Sequence, residues 1–307
     1  MFSSNHETTN PITLGEAIER CCKELENSDA FFGHGTDNAW DEAVQLVLAV
    51  ARLPANSGQE VLQSELRSEQ QAELRALLHR RIHEQLPLPY LLGRAWFAGL
   101  EFLCDQRAIV PRSPLAELIL NGFQPWYFGP EPRRILDLCC GGGCIGLAVA
   151  HYYPNCQVDL VDIDRDALAL SHDNRERLDL GEGRVRIIQS DGFADLDNTR
   201  YDIILTNPPY VEALELESMP REYHAEPALA LASGADGLDL TRSILASALD
   251  FLSETGLLIG EVGHSWLNLE RRYPTVPFTW VECEGGGEGV FVMSTEELQK
   301  YSDCWQD

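Results

Sequence analysis

Apolar residues in the first third of the chain recur at helical spacing. Trp40, Ala43, Val44, Val47 and Leu48 fall on one face of a 3.6-residue repeat. Upstream, Thr13-Leu14-Gly15-Glu16 has the spacing of a capping box and predicts a helix beginning just after Thr13. A further helix is expected over residues 68–85. It should stop before Pro87, because each proline of Leu86-Pro87-Leu88-Pro89 disfavours helical geometry in the residue before it. Aromatic and β-branched residues around Gly99, over residues 96–110, then predict a hairpin-like connector. Ser113-Pro114 reads as a helix cap followed by proline in the first turn.

Beyond Pro132 the pattern changes. Strand-like apolar runs at 134–139, 157–163, 185–189, 201–206 and 256–262 alternate with helical patterns at 143–152, 165–178 and 238–253. Such alternation predicts an α/β fold with a mostly parallel sheet covered by helices on both faces. Two short strands at 277–283 and 289–293, joined by a glycine-rich turn, should close it with an antiparallel pair. The expected organisation is a small helical domain over 1–88, a hairpin-like connector over 89–112 and a larger α/β domain over 113–307.

Composition narrows the class. With 307 residues, 44% hydrophobic and 23% charged, the chain can bury one sizeable core and carry a smaller second domain. No run approaches the roughly 20 apolar residues of a membrane helix. Residues 1–11 are polar and lack the layout of a secretion signal, so the cytoplasm is the expected location. Nine cysteines, including the adjacent pairs Cys21/Cys22 and Cys139/Cys140, suit reduced thiols rather than a disulfide framework. A net charge of −26 repels phosphate backbones and attracts basic polypeptides, unless it serves solubility alone.

Ile135 to Gly146 reads Ile-Leu-Asp-Leu-Cys-Cys-Gly-Gly-Gly-Cys-Ile-Gly: a buried strand, a glycine-rich turn and a helix. Glycines there let a ligand approach the backbone where a Cβ would collide with it. Asp162 ends the next strand, about 20 residues on, where a carboxylate can accept hydrogen bonds from both ribose hydroxyls of a nucleoside. Asp191 follows the third strand, either near an adenine or as an ordinary strand-end cap. Cys139, Cys140 and Cys144 lack metal-ligand spacing and read as small packing residues, so no metal is expected.

Thr206-Asn207-Pro208-Pro209-Tyr210 ends the fourth strand. Adjacent prolines remove two amide donors and leave carbonyls as acceptors. An amide nitrogen is a poor nucleophile, its lone pair being delocalised. The Asn207 side-chain oxygen and the Pro208 carbonyl are placed to accept its two hydrogens, orient it and stabilise developing positive charge. Tyr210 would supply an aromatic wall. By itself, Asn-Pro commonly starts a bland turn.

These residues closely resemble the class I S-adenosylmethionine-dependent methyltransferases and, within them, the protein-glutamine methyltransferases. The tetrapeptide Asn207-Pro208-Pro209-Tyr210 is shared with DNA amino-methyltransferases. Other segments are more specific: Phe32-Gly33-His34-Gly35-Thr36-Asp37-Asn38, Trp40-Asp41-Glu42-Ala43, Trp96-Phe97-Ala98-Gly99-Leu100-Glu101-Phe102, Val110-Pro111-Arg112-Ser113-Pro114, Glu222-Tyr223-His224-Ala225-Glu226-Pro227 and Leu231-Ala232-Ser233-Gly234. They resemble the branch acting on large-subunit ribosomal protein "L three", over nearly the whole chain. The resemblance implies a class I Rossmann-like sheet preceded by a small helical domain, S-adenosyl-L-methionine as cofactor, and glutamine methylation as the activity. Release-factor methylation is the alternative within the family; a non-catalytic cofactor-binding assembly factor is the alternative outside it. The candidate cofactor-binding residues are Asp137, Cys139, Cys140, Gly141, Gly142, Gly143, Asp162, Asp191, Gly192 and Asn207; the candidate catalytic residues are Asn207, Pro208, Pro209 and Tyr210. Cys140 and Gly142 depart from the usual Thr-Gly-Ser-Gly and remove two hydroxyls. Glu226 and Glu261 match family positions near the site, but in so acidic a chain they also read as solvated surface. His34 either faces a partner or packs in a turn. Trp40 and Trp96 read as core or domain-interface anchors rather than ligand stackers.

Overall fold

The computed structural model describes residues 11–306; the polar opening stretch up to residue 10, and Asp307, lie outside them. The chain divides into two units, Met1–Gly93 with Pro220–Ala225, and Arg94–Met219 with Glu226–Asp307.

In the first unit a short pair, β1 (Ile12–Thr13) with β2 (Glu65–Leu66), accompanies the helices α1 (Leu14–Glu26), α2 (Ala39–Ala51), α3 (Ser68–His79) and α4 (Leu88–Leu92). The capping box forms: Glu16 N–H donates to Thr13 Oγ1 at 3.2 Å and Thr13 N–H to Glu16 Oε2 at 3.0 Å. Leu14, Ile18 and Leu25 of α1 pack against Ala43, Leu46 and Val47 of α2 in one apolar cluster. Trp40, expected as an anchor, is 51% exposed: it sits beside the buried stripe, not in it. The helix expected over 68–85 forms, with a change of pitch near its end. α3 ends at His79, a wider turn continues over Arg80–Glu84, and Gln85 takes a left-handed φ of 50°. The proline run then starts α4, since Pro89 lies in its first turn, where a missing N–H leaves no bond unmade.

A buried ion network crosses this unit. Arg81 donates to Glu42 and to Glu222, each at 2.8 Å, and to the Phe31 carbonyl at 2.6 Å. His34 is buried with its ring 4.5 Å from that of Tyr223, so it packs.

The second unit begins with the hairpin β3 (Arg94–Phe97) and β4 (Leu100–Leu103), turned by Ala98 and Gly99, both at positive φ as a two-residue hairpin loop requires. Trp96 points outward, 51% exposed, and is not a core residue. There follow α5 (Leu115–Leu120), β5 (Arg134–Leu138), α6 (Cys144–Tyr152), β6 (Gln157–Asp162), α7 (Arg165–Arg177), β7 (Val185–Gln189), β8 (Tyr201–Thr206), α8 (Ala213–Leu216), α9 (Asp239–Ser247), β9 (Leu252–Glu261), α10 (Trp266–Arg272), β10 (Thr279–Val281), β11 (Val290–Ser294) and α11 (Thr295–Lys300). The sheet has the order β10-β11-β9-β8-β5-β6-β7. β5 to β9 run parallel, and β11 and β10 close one edge antiparallel, as expected. The pattern expected as one helix over 238–253 splits instead: α9 stops at Ser247, and β9 starts at Leu252.

Both faces of the sheet are buried, which is why its strands read as nearly continuous apolar runs. Ile135, Val158, Ile203 and Ile259 pack to one side, and their neighbours Leu136, Ile204 and Leu258 to the other. From β5 the chain moves outward through β6 and β7, then returns to place β8 on the opposite side of β5. Ligands of open α/β sheets bind at the carboxyl ends of the strands beside such a reversal.

Among the described residues no helix is long and apolar enough to cross a membrane. All nine cysteines are free.

Candidate functional site

The strands β5, β6, β7 and β8 deliver the loop from Cys139, Asp162, Asp191 and Asn207 to one sheet edge. The cavity there encloses about 730 Å³, its open mouth included. Cys139, Gly141, Asp162, Asp191, Gly192, Asn207 and Pro209 line it. Ala108, Ile163, Pro227 and Leu229 supply apolar wall; of these, Pro227 belongs to a segment that carries the family resemblance, and the others were not named as candidates. A second cavity shares Ile109, Cys139, Gly141 and Asn207 with the first and extends past Cys140 and Gly142 to Val110, Arg112 and Ser113.

The glycine loop is fixed from below. Cys139, Gly141 and Gly143 have φ of 63°, 54° and 80°, a left-handed path that favours glycine. Gly141 N–H donates to Asp162 Oδ2 at 2.8 Å, and Asp164 N–H to Oδ1 at 2.9 Å. Behind the loop, Ser171 Oγ donates to the Gly141 carbonyl at 2.7 Å and Asn174 Nδ2 to the Gly142 carbonyl at 3.0 Å. Cys140 is buried with Sγ 3.9 Å from Ser171 Oγ, and a Cβ on Gly142 would lie 3.1 Å from Leu170 Cδ2. The two departures from the family loop are therefore packed positions whose backbone is held without their hydroxyls: Cys140 N–H donates to the Val161 carbonyl at 3.0 Å and the Gly142 carbonyl accepts from Asn174. Burial pushes the Cys139, Cys140 and Cys144 thiols up, so they stay neutral packing groups.

Asp137 is not brought to the cavity. It is fully buried under α6, its Oδ2 accepting from Gly146 N–H at 2.7 Å. Burial, opposed by that bond and aided by nearby Asp162, pushes its carboxyl up to about 7. Gly143 also stays out of both cavities; it opens α6 from beneath. Burial likewise raises Asp162, against the bonds from Asp164 and Gly141 that favour its ionised form.

Asn207 lines both cavities, and none of the described residues hydrogen-bonds its side chain. Pro208 is buried, and neither it nor Tyr210 lines either of these two cavities. Tyr210 is held instead: its hydroxyl donates to Glu261 Oε1 at 3.3 Å and its carbonyl accepts from Ser265 Oγ at 2.7 Å.

Glu226 and Glu261 are not solvated surface; each is 5% exposed. Glu226 accepts from both terminal nitrogens of Arg112, at 2.7 and 2.8 Å, and from Val110 N–H at 2.8 Å. Glu261 Oε2 accepts from Ser113 Oγ at 2.6 Å. The Arg112-Ser113 pair could have pointed to them, since a buried loop carrying a cation and a hydroxyl needs acceptors.

A half-buried carboxylate, a glycine loop with exposed backbone and apolar walls suit a nucleoside-bearing cofactor. Gly192 at φ 56° has nothing within 4 Å of where a Cβ would lie, leaving that wall open. A family model for the methyltransferase small domain matches residues 116–236. Among solved structures, a 16S rRNA N2 G1207 methyltransferase of T. thermophilus with AdoMet and guanosine is 20% identical, over 66% of this chain and 49% of that one, with a TM-score of 0.45. A ribosomal protein uL3 glutamine methyltransferase of Francisella tularensis is 42% identical, over 96% of this chain and 94% of its own length. The protein of that name from Xanthomonas campestris is 49% identical, over 94% of each. At that identity across nearly its whole length, this chain belongs to the ribosomal protein uL3 glutamine methyltransferase family.

Proposed function

We propose that the protein transfers a methyl group from S-adenosyl-L-methionine to the side-chain amide nitrogen of a glutamine in large-subunit ribosomal protein uL3. The observation that carries this reading is the position of Asn207, its side chain unclaimed by the described residues, in the wall common to both cavities. The first cavity, with Asp162 and Asp191, suits the nucleoside; the second, bounded by Val110, Arg112 and Ser113, suits the acceptor.

When bound, S-adenosylmethionine supplies an electrophilic methyl on a positively charged sulfur. The protein's residues position the nitrogen. Asn207 Oδ1 and the Pro208 carbonyl accept the two amide hydrogens, hold the lone pair toward the methyl and stabilise charge growing on nitrogen. Once the nitrogen is methylated its proton is strongly acidic and leaves to water, so no strong base is needed beforehand. The helical unit is assigned to recognition of the protein substrate, and a ribosomal substrate suits action in the cytoplasm.

Incubation with methyl-labelled S-adenosylmethionine, unmethylated uL3 and unmethylated release factors, followed by mass spectrometry, tests the reading. Label on a glutamine of uL3 is expected, lost in Asn207→Ala while cofactor binding persists. Label on release factors alone would move the protein to the sister branch. No label on any protein, with the cofactor still bound, would favour a holding factor.

A further inference from the structure

Glu261 ends β9 at the same sheet edge as Asn207, and its two oxygens serve different elements. Oε2 takes the hydroxyl of Ser113, in the loop bounding the second cavity, and Oε1 takes the hydroxyl of Tyr210, two residues past the paired prolines' start. Tyr210 is otherwise confined by its carbonyl bond to Ser265 and by Gly263, where a Cβ would lie 2.6 Å from the ring. Its ring also meets that of His264 edge-on, centroids 5.9 Å apart, and its hydroxyl adds the link to Glu261.

We propose that Glu261 is a positioning residue for methyl transfer: ionised, it accepts both hydroxyls at once and so ties the end of the Asn207–Tyr210 segment to the Ser113 loop that bounds the second cavity. This inference rests on the function proposed above.

A carboxylate only accepts, so it satisfies two donors together; once protonated, one oxygen becomes a donor, and the hydroxyl facing it must turn its own proton elsewhere and accept instead. The charged and titratable groups facing Glu261 are Arg112 from the loop, Tyr210 itself and the Cys283 thiol from the turn after β10; on β11 its register partner is Val290. Glu226 reaches this set through Arg112. Burial pushes the Glu261 carboxyl up to about 7, with Ser113, Tyr210 and Arg112 opposing, which puts the change of state within reach of an assay.

The test measures kcat/KM for uL3 from about pH 6 to 9, cofactor Kd by calorimetry and thermal midpoints for wild type, Glu261→Gln, Glu261→Ala, Tyr210→Phe and the Tyr210→Phe/Glu261→Ala double variant. Expected are a wild-type kcat/KM that rises through about pH 7, and a Glu261→Gln profile flat there and roughly tenfold lower at pH 8, a loss typical of a disturbed buried hydrogen bond. Cofactor Kd should stay within about twofold, and the double variant should lose no more than Glu261→Ala alone, because interacting positions are not additive. If Glu261→Ala fails to fold, the near-isosteric Glu261→Gln decides. A folded Glu261→Gln that keeps the wild-type pH limb, or full additivity in the double variant, overturns the role of Glu261. A wild type that leaves uL3 unlabelled overturns the proposed substrate and this inference with it; variants that behave like an active wild type overturn the inference alone.

Discussion

Arg112 and Glu226 meet fork to fork, Nη1 to Oε1 at 2.7 Å and Nη2 to Oε2 at 2.8 Å, though 114 residues separate them. The Glu226 side chain is fully buried and that of Arg112 22% exposed. Removing the cation takes two charge-assisted bonds from a buried carboxylate that keeps the Val110 N–H. Arg112→Ala should therefore lower stability by about 3 kcal/mol, the order seen when one partner of a buried pair is deleted. Arg112→Lys should lose less, since an ammonium keeps the charge but not the paired donors. Urea unfolding checks both: an unshifted midpoint for Arg112→Ala would mean the pair contributes nothing net.

That pair also shows where sequence reading stopped. The parallel sheet, its antiparallel closure, the capping box at Thr13 and the strand ends carrying Asp162 and Asn207 are local in sequence and were legible from period and turn chemistry. Glu226 and Glu261 were placed near the site by the family resemblance alone; residue chemistry could not do it, because their partners lie 114 and 148 residues away and an acid in a chain of charge −26 defaults to surface. Asp137 misled in the opposite way. It stands in the motif of the glycine loop, but strand alternation turns it from the ligand edge toward Gly146. Trp40 and Trp96 are not core residues, because a large apolar side chain at helical or strand spacing says nothing of which side of the stripe it ends on. The split of residues 238–253 between α9 and β9 reflects tertiary pairing with β8 overriding a helical pattern.

Asp162 holds the loop and faces the first cavity at once. Asp162→Ala should weaken S-adenosylmethionine binding by 10-fold or more on the scale of lost charge-assisted hydrogen bonds, about 1.5 to 3 kcal/mol. Asp162→Asn should weaken it less, because one oxygen can still accept from Gly141. Calorimetric titration with the cofactor decides; equal affinity in Asp162→Ala and wild type would remove Asp162 from the cofactor site.

Asp137 gives the protein a pH-dependent stability of definite sign. Its folded carboxyl titrates at about 7, against 3.8 for an unperturbed one, because burial penalises the charge. Between those values the folded protein holds a proton that the unfolded chain has lost. Stability from this group is fully present below about pH 4 and falls as pH rises toward 7. Glu261 acts in the same sense from 4.5 to about 7. Asp137→Asn removes one of the two titrations. Its thermal midpoint should fall less than that of wild type between pH 5 and 8, as read by calorimetry with cofactor omitted. Parallel curves would show that Asp137 is ionised in the fold.

The charge of −26 predicts a difference between the two substrates. S-adenosylmethionine carries a single net positive charge and is held by a few groups at short range, which salt screens weakly. A ribosomal protein rich in Lys and Arg would be drawn by the summed field of the surface, over distances comparable to the Debye length of about 10 Å at 0.1 M salt. Raising NaCl from about 50 to 300 mM should therefore raise KM for uL3 severalfold while KM for the cofactor stays within about twofold. The increase should appear as a slower association rate in stopped-flow binding, because exposed charges act mainly on encounter. A uL3 KM that ignores salt would remove the steering role and leave the acidity to solubility.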